Sequence, residues 1–293
     1  MPELTAADRE RRRKGLGASD AAGIFGLGYS TPFSVWADKL WGHEVPTTPY
    51  MQRGHDLEPL VAAKFEQRHG FTSRVGGHTP HPDVPWLFAT TDYRTGRPDS
   101  GLIAPLECKT DEAHWNPHKW GPDGDVDGVP DYIDLQVHQQ IEVCRSSVAW
   151  IAVLLIDRWE LRTYEIEPDP KVIDLLLEGA EAFWHDHVLA RVPPPITDPA
   201  KDWNALKSVP LDVEREVELP ADTADLVVEW RRARQDRVAA EAIEAEAKAE
   251  IARLMGGAGK GLIDGEHAVT ASEHYRGSTL VRKLTDNNQW RHP

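Results

Sequence analysis

Asp92 and the triplet Glu107-Cys108-Lys109 are the residues of this chain best suited to do chemistry. Side chains two apart on a strand project to one face. Glu107 and Lys109 therefore share a face, and Leu106 and Cys108 take the opposite one. Leucine and cysteine suit a core; a carboxylate beside an ammonium suits a reactive sheet surface. Pairing Asp92 with Glu107 in a hairpin centres the turn between Asp99 and Ser100, where Pro98-Asp99-Ser100-Gly101 supplies turn chemistry. The two carboxylates then become cross-strand neighbours. Like charges so placed repel unless a cation sits between them. Mg²⁺ fits, because it takes hard oxygen ligands and keeps water and phosphate in its shell. Lys109 is placed to orient or activate a water.

The elements that must position these residues are legible in outline. Trp86–Tyr93 and Leu102–Thr110 read as two strands flanking the turn. Ala18–Phe25 reads as a short helix between glycine-rich turns, and Pro32–Leu40 as a second. Leu57, Leu60, Val61 and Phe65 recur at helical spacing, with Gly70 as the stop. Asp111–Pro130, rich in Gly, Pro and His, reads as a long loop bordering the substrate. Tyr132–Arg145 reads as a helix, Val148–Asp157 and Glu160–Ile166 as a strand hairpin, and Asp169–Leu189 as an amphipathic helix. The expected fold is α/β, a mixed sheet flanked by helices, over residues 1–190. Four prolines among the nine residues Arg191–Pro199 end it, and a linker is expected over 191–202. Residues 203–293 are expected to hold one long helix, Ala224–Met255, and a small strand pair within Leu262–Leu284. No internal repeat is found.

Bulk properties narrow the function. A chain of 293 residues, 40% hydrophobic and 28% charged, supports an ordinary globular core. The longest apolar run, Ile151–Ile156, is far too short to cross a bilayer. Met1–Lys14 lacks the apolar stretch of a secretory signal. The two cysteines, Cys108 and Cys144, make no disulfide framework, so a cytoplasmic setting with reduced thiols is expected. A net charge of −15 argues against a protein that coats nucleic acid by charge alone. Basic residues can still gather locally, as in Arg11-Arg12-Arg13-Lys14. Asp111, Glu112, His114 and His118 suggest a metal cluster by composition, but Pro117 disfavours the helix that would align the histidines; a substrate-side loop is the better reading.

Phe88-Ala89-Thr90-Thr91-Asp92, followed by Leu106-Glu107-Cys108-Lys109-Thr110, resembles the core of the PD-(D/E)XK nuclease superfamily. More narrowly, the chain resembles the phage lambda exonuclease / YqaJ-type viral recombinase family over roughly residues 9 to 190. Four further segments carry that resemblance. Gly15-Leu16-Gly17-Ala18-Ser19-Asp20 follows Arg12, and the resemblance assigns Arg12 and Ser19 to a DNA phosphate. Ser19 at a helix start also suits a phosphate on its own physics. Gly54-His55-Asp56-Leu57-Glu58-Pro59 matches a metal-site context and assigns Glu58. Gln136-Val137-His138-Gln139-Gln140 matches a helix whose glutamine faces the site. Gln136 fits that role, and Gln140, one turn on, shares its face and is a further phosphate contact. Tyr164–Asp169 resembles the strand-to-helix junction after the core. One departure concerns the catalytic Asp, which the family often flanks with Pro and Gly. Thr91 and Tyr93 stand there instead, and Pro98-Asp99 is the alternative match.

The resemblance implies a metal-dependent DNA exonuclease. Glu58, Asp92, Glu107 and the Cys108 carbonyl would hold Mg²⁺ or Mn²⁺, as two ions. Lys109 would assist the attacking water, and Gln136 would orient water or phosphate. Degradation of the 5′ strand of linear duplex DNA, handing a 3′ tail to a single-strand annealing protein in phage or prophage recombination, is implied in the same way. So is a homo-oligomer. The rival readings are a restriction- or repair-type endonuclease of the same superfamily and a non-catalytic DNA-binding recombination partner.

Overall fold

In the computed structural model the described residues are 5–43, 47–98, 103–276 and 279–287. The chain folds as two units, 1–212 and 213–293. The helices are α1 (Ala6–Arg13), α2 (Ala21–Ile24), α3 (Pro32–Trp41), α4 (Pro49–His69), α5 (Asp131–Cys144), α6 (Pro170–Phe183), α7 (Pro199–Leu206) and α8 (Thr223–Met255). The strands are β1 (Leu16–Gly17), β2 (Thr72–Val75), β3 (His78–Pro80), β4 (Leu87–Thr90), β5 (Tyr93–Gly96), β6 (Ala104–Asp111), β7 (Ala149–Leu155) and β8 (Glu160–Ile166) in the first unit. The second unit holds β9 (Lys260–Ile263), β10 (Glu266–Arg276) and β11 (Thr279–Asp286).

One local rule starts four of the helices: a capping Thr or Asp followed by Pro. Thr31, Thr48, Asp169 and Asp198 each accept a backbone N–H of the first turn, and α3, α4, α6 and α7 begin on the next proline. Proline costs nothing there, because the first N–H of a helix has no partner anyway. Gly70 closes α4 in the left-handed conformation, φ 67°. Helix α4 starts at Pro49, so Glu58 and Pro59 lie in its middle.

A five-stranded sheet, in the order β2-β5-β6-β7-β8, carries the triplet. Strands β5 and β6 pair antiparallel, with Tyr93 opposite Leu106 and Thr95 opposite Ala104. That is the register which sets Asp92 against Glu107; the turn residues 99–102 lie outside the described residues. Strands β6 and β7 pair in parallel, with α5 as the crossover between them. All seven residues of β7 are buried, as befits a strand covered on both faces. Ala152 and Leu154 pack with Val61 and Phe65 of α4, whereas Ile151 and Val153 pack with Ile133, Val137 and Ile141 of α5.

The expected single strand Trp86–Tyr93 is two strands in two sheets. Strand β4 pairs in parallel with β1 and antiparallel with β3, making a small three-stranded sheet. The chain leaves that sheet at Thr91-Asp92 and enters the main sheet as β5. Leu87, Phe88 and Ala89 are all buried, so no alternation marked the change of sheet.

The expected linker 191–202 does not separate the units. Helix α7 packs on α3, with Ala205 in the same core as Trp36 and Phe183. Asp202, fully buried, accepts the Thr31 hydroxyl and the backbone N–H groups of Thr197 (2.8 Å) and Asp198 (3.0 Å). Prolines end the preceding helix but leave the next one free to dock. Asp202→Ala is therefore expected to leave the buried Thr31 hydroxyl and two backbone N–H groups without their acceptor and to cost roughly 1–3 kcal/mol. A urea unfolding midpoint that stays at the wild-type value would refute that role for Asp202.

The second unit is α8 followed by an antiparallel meander in the order β11-β10-β9, three strands where a pair was expected. No residue of α8 is buried; i,i+4 ion pairs such as Arg237–Glu241 (2.5 Å) line it. No helix among the described residues is long and apolar enough to cross a membrane.

Candidate active site

Strand β6 divides its side chains as the alternation requires. Leu106 and Cys108 enter the core under α4. On the other face Glu107, 2% exposed, meets α5. Three donors converge on its carboxylate. Lys109 Nζ lies 2.5 Å and Gln136 Nε2 2.6 Å from Oε1, and Gln140 Nε2 lies 2.6 Å from Oε2. Gln136 and Gln140 are one helical turn apart, so a single face of α5 supplies both amides. The third glutamine of the run, Gln139, donates instead to the carbonyls of Leu16 (3.1 Å) and Phe88 (2.9 Å). It ties β1 and β4 to the helix that grips Glu107.

Asp92 sits at the break between the two sheets, 9% exposed. Its Oδ2 accepts the Cys108 N–H at 2.9 Å. Burial, and then the Glu107 charge, hold its carboxyl well above the ordinary carboxylate range. Burial works against the Lys109 ammonium, but the Glu107 and Asp92 carboxylates outweigh it and raise its pKa. Glu58 approaches from α4, 8% exposed, with Oε1 2.9 Å from His55 Nδ1, and its charge also bears on Asp92. The alternative aspartate, Asp99, lies outside the described residues.

A second cluster forms where α1 meets β1. Arg12 Nη2 donates to Ser19 Oγ at 2.8 Å. Its neighbours in the basic run are spent locally: Arg11 on Asp8, Arg13 on Glu10 and the Leu40 carbonyl, Lys14 on Glu10. Below Ser19, Asp20 accepts the Gly17 N–H (2.8 Å) and the Lys39 ammonium (2.6 Å). Lys39, its side chain 1% exposed, also donates to the Arg12 carbonyl at 3.3 Å, so one buried lysine fixes both ends of the Arg12–Ser19 pair. Gly15 is obligatory here: a Cβ would stand 2.3 Å from the Trp86 carbonyl oxygen.

Several sequence expectations change at this level. Gln140 is fully buried beneath Glu107 and holds that carboxylate, not a phosphate. Asp111 and Glu112 point to cations rather than to the histidines. Asp111 takes Lys119 (2.7 Å) and the Trp120 indole N–H (2.8 Å), and Glu112 takes Arg53 (2.5 Å). The Cys108 thiol is buried, and burial followed by the nearby carboxylates raises its pKa, the opposite of an activated nucleophile. Gln139 stood inside a recognised glutamine run, whereas nothing in the sequence marked Lys39.

The resemblance implies a divalent cation at this site. Among the described residues, no three His, Cys, Asp or Glu side chains form a ready coordination set. The two oxygens of Glu107 face amides and an ammonium, as a carboxylate repelled by a neighbouring one would turn. The donor chemistry nevertheless fits a hard cation. Glu58, Asp92 and Glu107 interact through their charges, and the burial penalty on Asp92 is one that a cation would relieve.

Residues 9–147 match the model of the YqaJ-like viral recombinase domain. The YqaJ protein of Bacillus subtilis (strain 168) is 34% identical over 189 residues, a match covering 61% of this chain and 54% of YqaJ. The chain thus spans about half the length of that curated relative. Among solved structures, LHK-Exo, an alkaline exonuclease from Laribacter hongkongensis, is similar at TM-scores of 0.52 (in complex with dAMP) and 0.50. Those matches are 19% and 18% identical, and each covers 64% of this chain and 94% of LHK-Exo. At that identity the likeness establishes the fold alone, a mixed α/β core flanked by helices. Over residues 9–147, the chain is similar to the YqaJ-like viral recombinase domain.

Proposed function

We propose that the protein is a metal-dependent exonuclease that hydrolyses phosphodiester bonds of linear double-stranded DNA. One observation carries the reading: Asp92, Glu107 and Lys109 meet on one sheet surface, with Gln136 beside them and Arg12–Ser19 bound to the same framework through Gln139. Glu58, Asp92, Glu107 and the Cys108 carbonyl would supply the oxygen donors for Mg²⁺ or Mn²⁺. When bound, the cation supplies Lewis-acid polarisation of the phosphate and lowers the pKa of a water.

The residues divide the remaining work. Lys109, its side chain 29% exposed, aims a fixed ammonium at the site and orients the attacking water. The water oxygen attacks phosphorus as its proton passes to solvent, and the P–O3′ bond breaks. The released 3′-oxygen takes a proton, and the shortened strand keeps a 5′-phosphate. Gln136 steadies a phosphate oxygen or the water through its amide. Arg12 and Ser19 receive the new terminal phosphate, which would make the direction 5′ to 3′. The 3′ tail left behind is the substrate expected for a single-strand annealing recombinase. A bacterial cytoplasm, with phage or prophage origin, suits that pairing.

The test is digestion of end-labelled linear duplex in Mg²⁺, with closed circular duplex alongside. Release of mononucleotides from 5′ ends, with circles intact, is expected. Cutting of the circles would make the protein an endonuclease, and inertness towards both would leave a non-catalytic DNA-binding protein. Arg12→Ala sharpens the assay. It should slow digestion of 5′-phosphorylated ends far more than of 5′-hydroxyl ends. Arg11→Ala and Arg13→Ala should mainly weaken general affinity and its salt dependence. Equal losses for all three arginines would return this segment to a plain basic tail.

A further inference from the structure

Tyr132, Gln136 and Gln140 follow one another at four-residue spacing and form one stripe on α5. The two glutamines hold Glu107, so Tyr132 lies one turn, about 6 Å, further along the same face. Lys119 stands against its ring and is held by Asp111 of β6, the strand that carries Lys109, which places Tyr132 at the rim of the site. Against its ring stands Tyr29, edge to face, with centroids 5.6 Å apart and planes at 77°. The Lys119 ammonium lies 5.9 Å from the Tyr29 ring and 5.8 Å from the Tyr132 ring, and 3.3 Å from the Tyr29 hydroxyl. Asp111, two residues beyond Lys109 on β6, anchors that ammonium. Gly28 makes the approach possible: its φ is +75°, and a Cβ there would sit 3.1 Å from the Tyr132 Cβ.

Tyr29 is thus held by the Tyr132 ring and by Lys119 and is still 76% exposed. An aromatic ring fixed in water beside a phosphate-handling site offers what an unpaired base needs, a rigid π-face that accepts any base. Stacking also supplies affinity without charge, which a chain of net charge −15 needs more than most. We propose that Tyr29, backed by Tyr132 and Lys119, is a stacking site for an unpaired base of the DNA strand next to the bond being cleaved. This rests on the nuclease reading above.

The experiment compares wild type, Tyr29→Ala and Tyr29→Trp on 5′-phosphorylated linear duplexes in Mg²⁺. One duplex is intact, and the others carry a single abasic residue at each of the first few positions. On intact DNA, Tyr29→Ala should raise KM or lower kcat/KM roughly 5- to 100-fold, and Tyr29→Trp should restore it. At one position the abasic residue should slow wild type by the same factor and slow Tyr29→Ala no further. Wild-type rates for Tyr29→Ala on intact DNA, or a loss that persists at every abasic position, would overturn the stacking site. Turnover by wild type and none by Lys109→Ala in the same assay secures the nuclease reading independently. No turnover by any protein would reject both.

Discussion

Lys109→Ala is expected to lower hydrolysis of linear duplex DNA by roughly 10²–10⁴-fold, the usual worth of a positioned proton-handling group. Fold and DNA binding should survive. The Lys109 side chain is 29% exposed, and its carboxylate partner keeps two amide donors after the change. The loss should appear in kcat rather than KM, because the ammonium acts on the attacking water and not on the remainder of the strand. Lys109→Arg should rescue little, since a planar fork cannot occupy the place of a compact ammonium 2.5 Å from Glu107. A Lys109→Ala enzyme keeping more than about a tenth of the rate would remove Lys109 from the chemistry.

Asp92→Asn and Glu107→Gln are expected to abolish measurable Mg²⁺ and Mn²⁺ binding by calorimetry, and their consequences for stability should differ. Asp92 is a buried carboxylate beside a second one. Removing its charge while keeping an oxygen to accept the Cys108 N–H relieves repulsion, so the cation-free protein should melt no lower than wild type. What disappears is the stabilisation that a saturating cation brings to wild type, about 2.7 kcal/mol at a hundred times Kd. Glu107→Gln replaces an acceptor by an amide facing Gln136, Gln140 and Lys109, all donors. A donor set against donors in a dry site should lower the melting temperature even without a cation. Asp99→Ala is the control and should bind metal as wild type does. If it is Asp99→Ala that loses the metal and Asp92→Asn that keeps it, the pairing of Asp92 with Glu107 does not define the site.

Local chemistry made much of this protein legible beforehand. Thr31-Pro32 and Asp169-Pro170 open helices where helices were expected, because cap and proline act within one turn. The register of β5 on β6 followed from the turn residues and the two-residue alternation. Glu107 and Lys109 could be placed on one face, and Gln136 with Gln140 on another, from periodicity alone. What α8 would be was equally plain from its composition, since i,i+4 pairs are short-range.

Other features needed contacts that no spacing encodes. The jump between sheets at Thr91-Asp92 depends on β1 and β3 arriving beside β4, from 71 and from 8 to 12 residues away in register. Helix α7 docks because Thr31 offers a hydroxyl to Asp202 across 171 residues of sequence. Gln140 seemed as available to a phosphate as Gln136 is; only the depth of α5 against β6 turns it into a buried support for Glu107. Lys39 and the Tyr29–Tyr132–Lys119 assembly join three or more distant segments apiece. The sequence by itself determined the reactive residue types, their faces and the elements that bear them, since each rests on interactions within a turn or a pleat. The tertiary structure decided which of those residues meet, which are buried and which stay open to DNA, because burial and charge coupling arise only when distant segments share one volume.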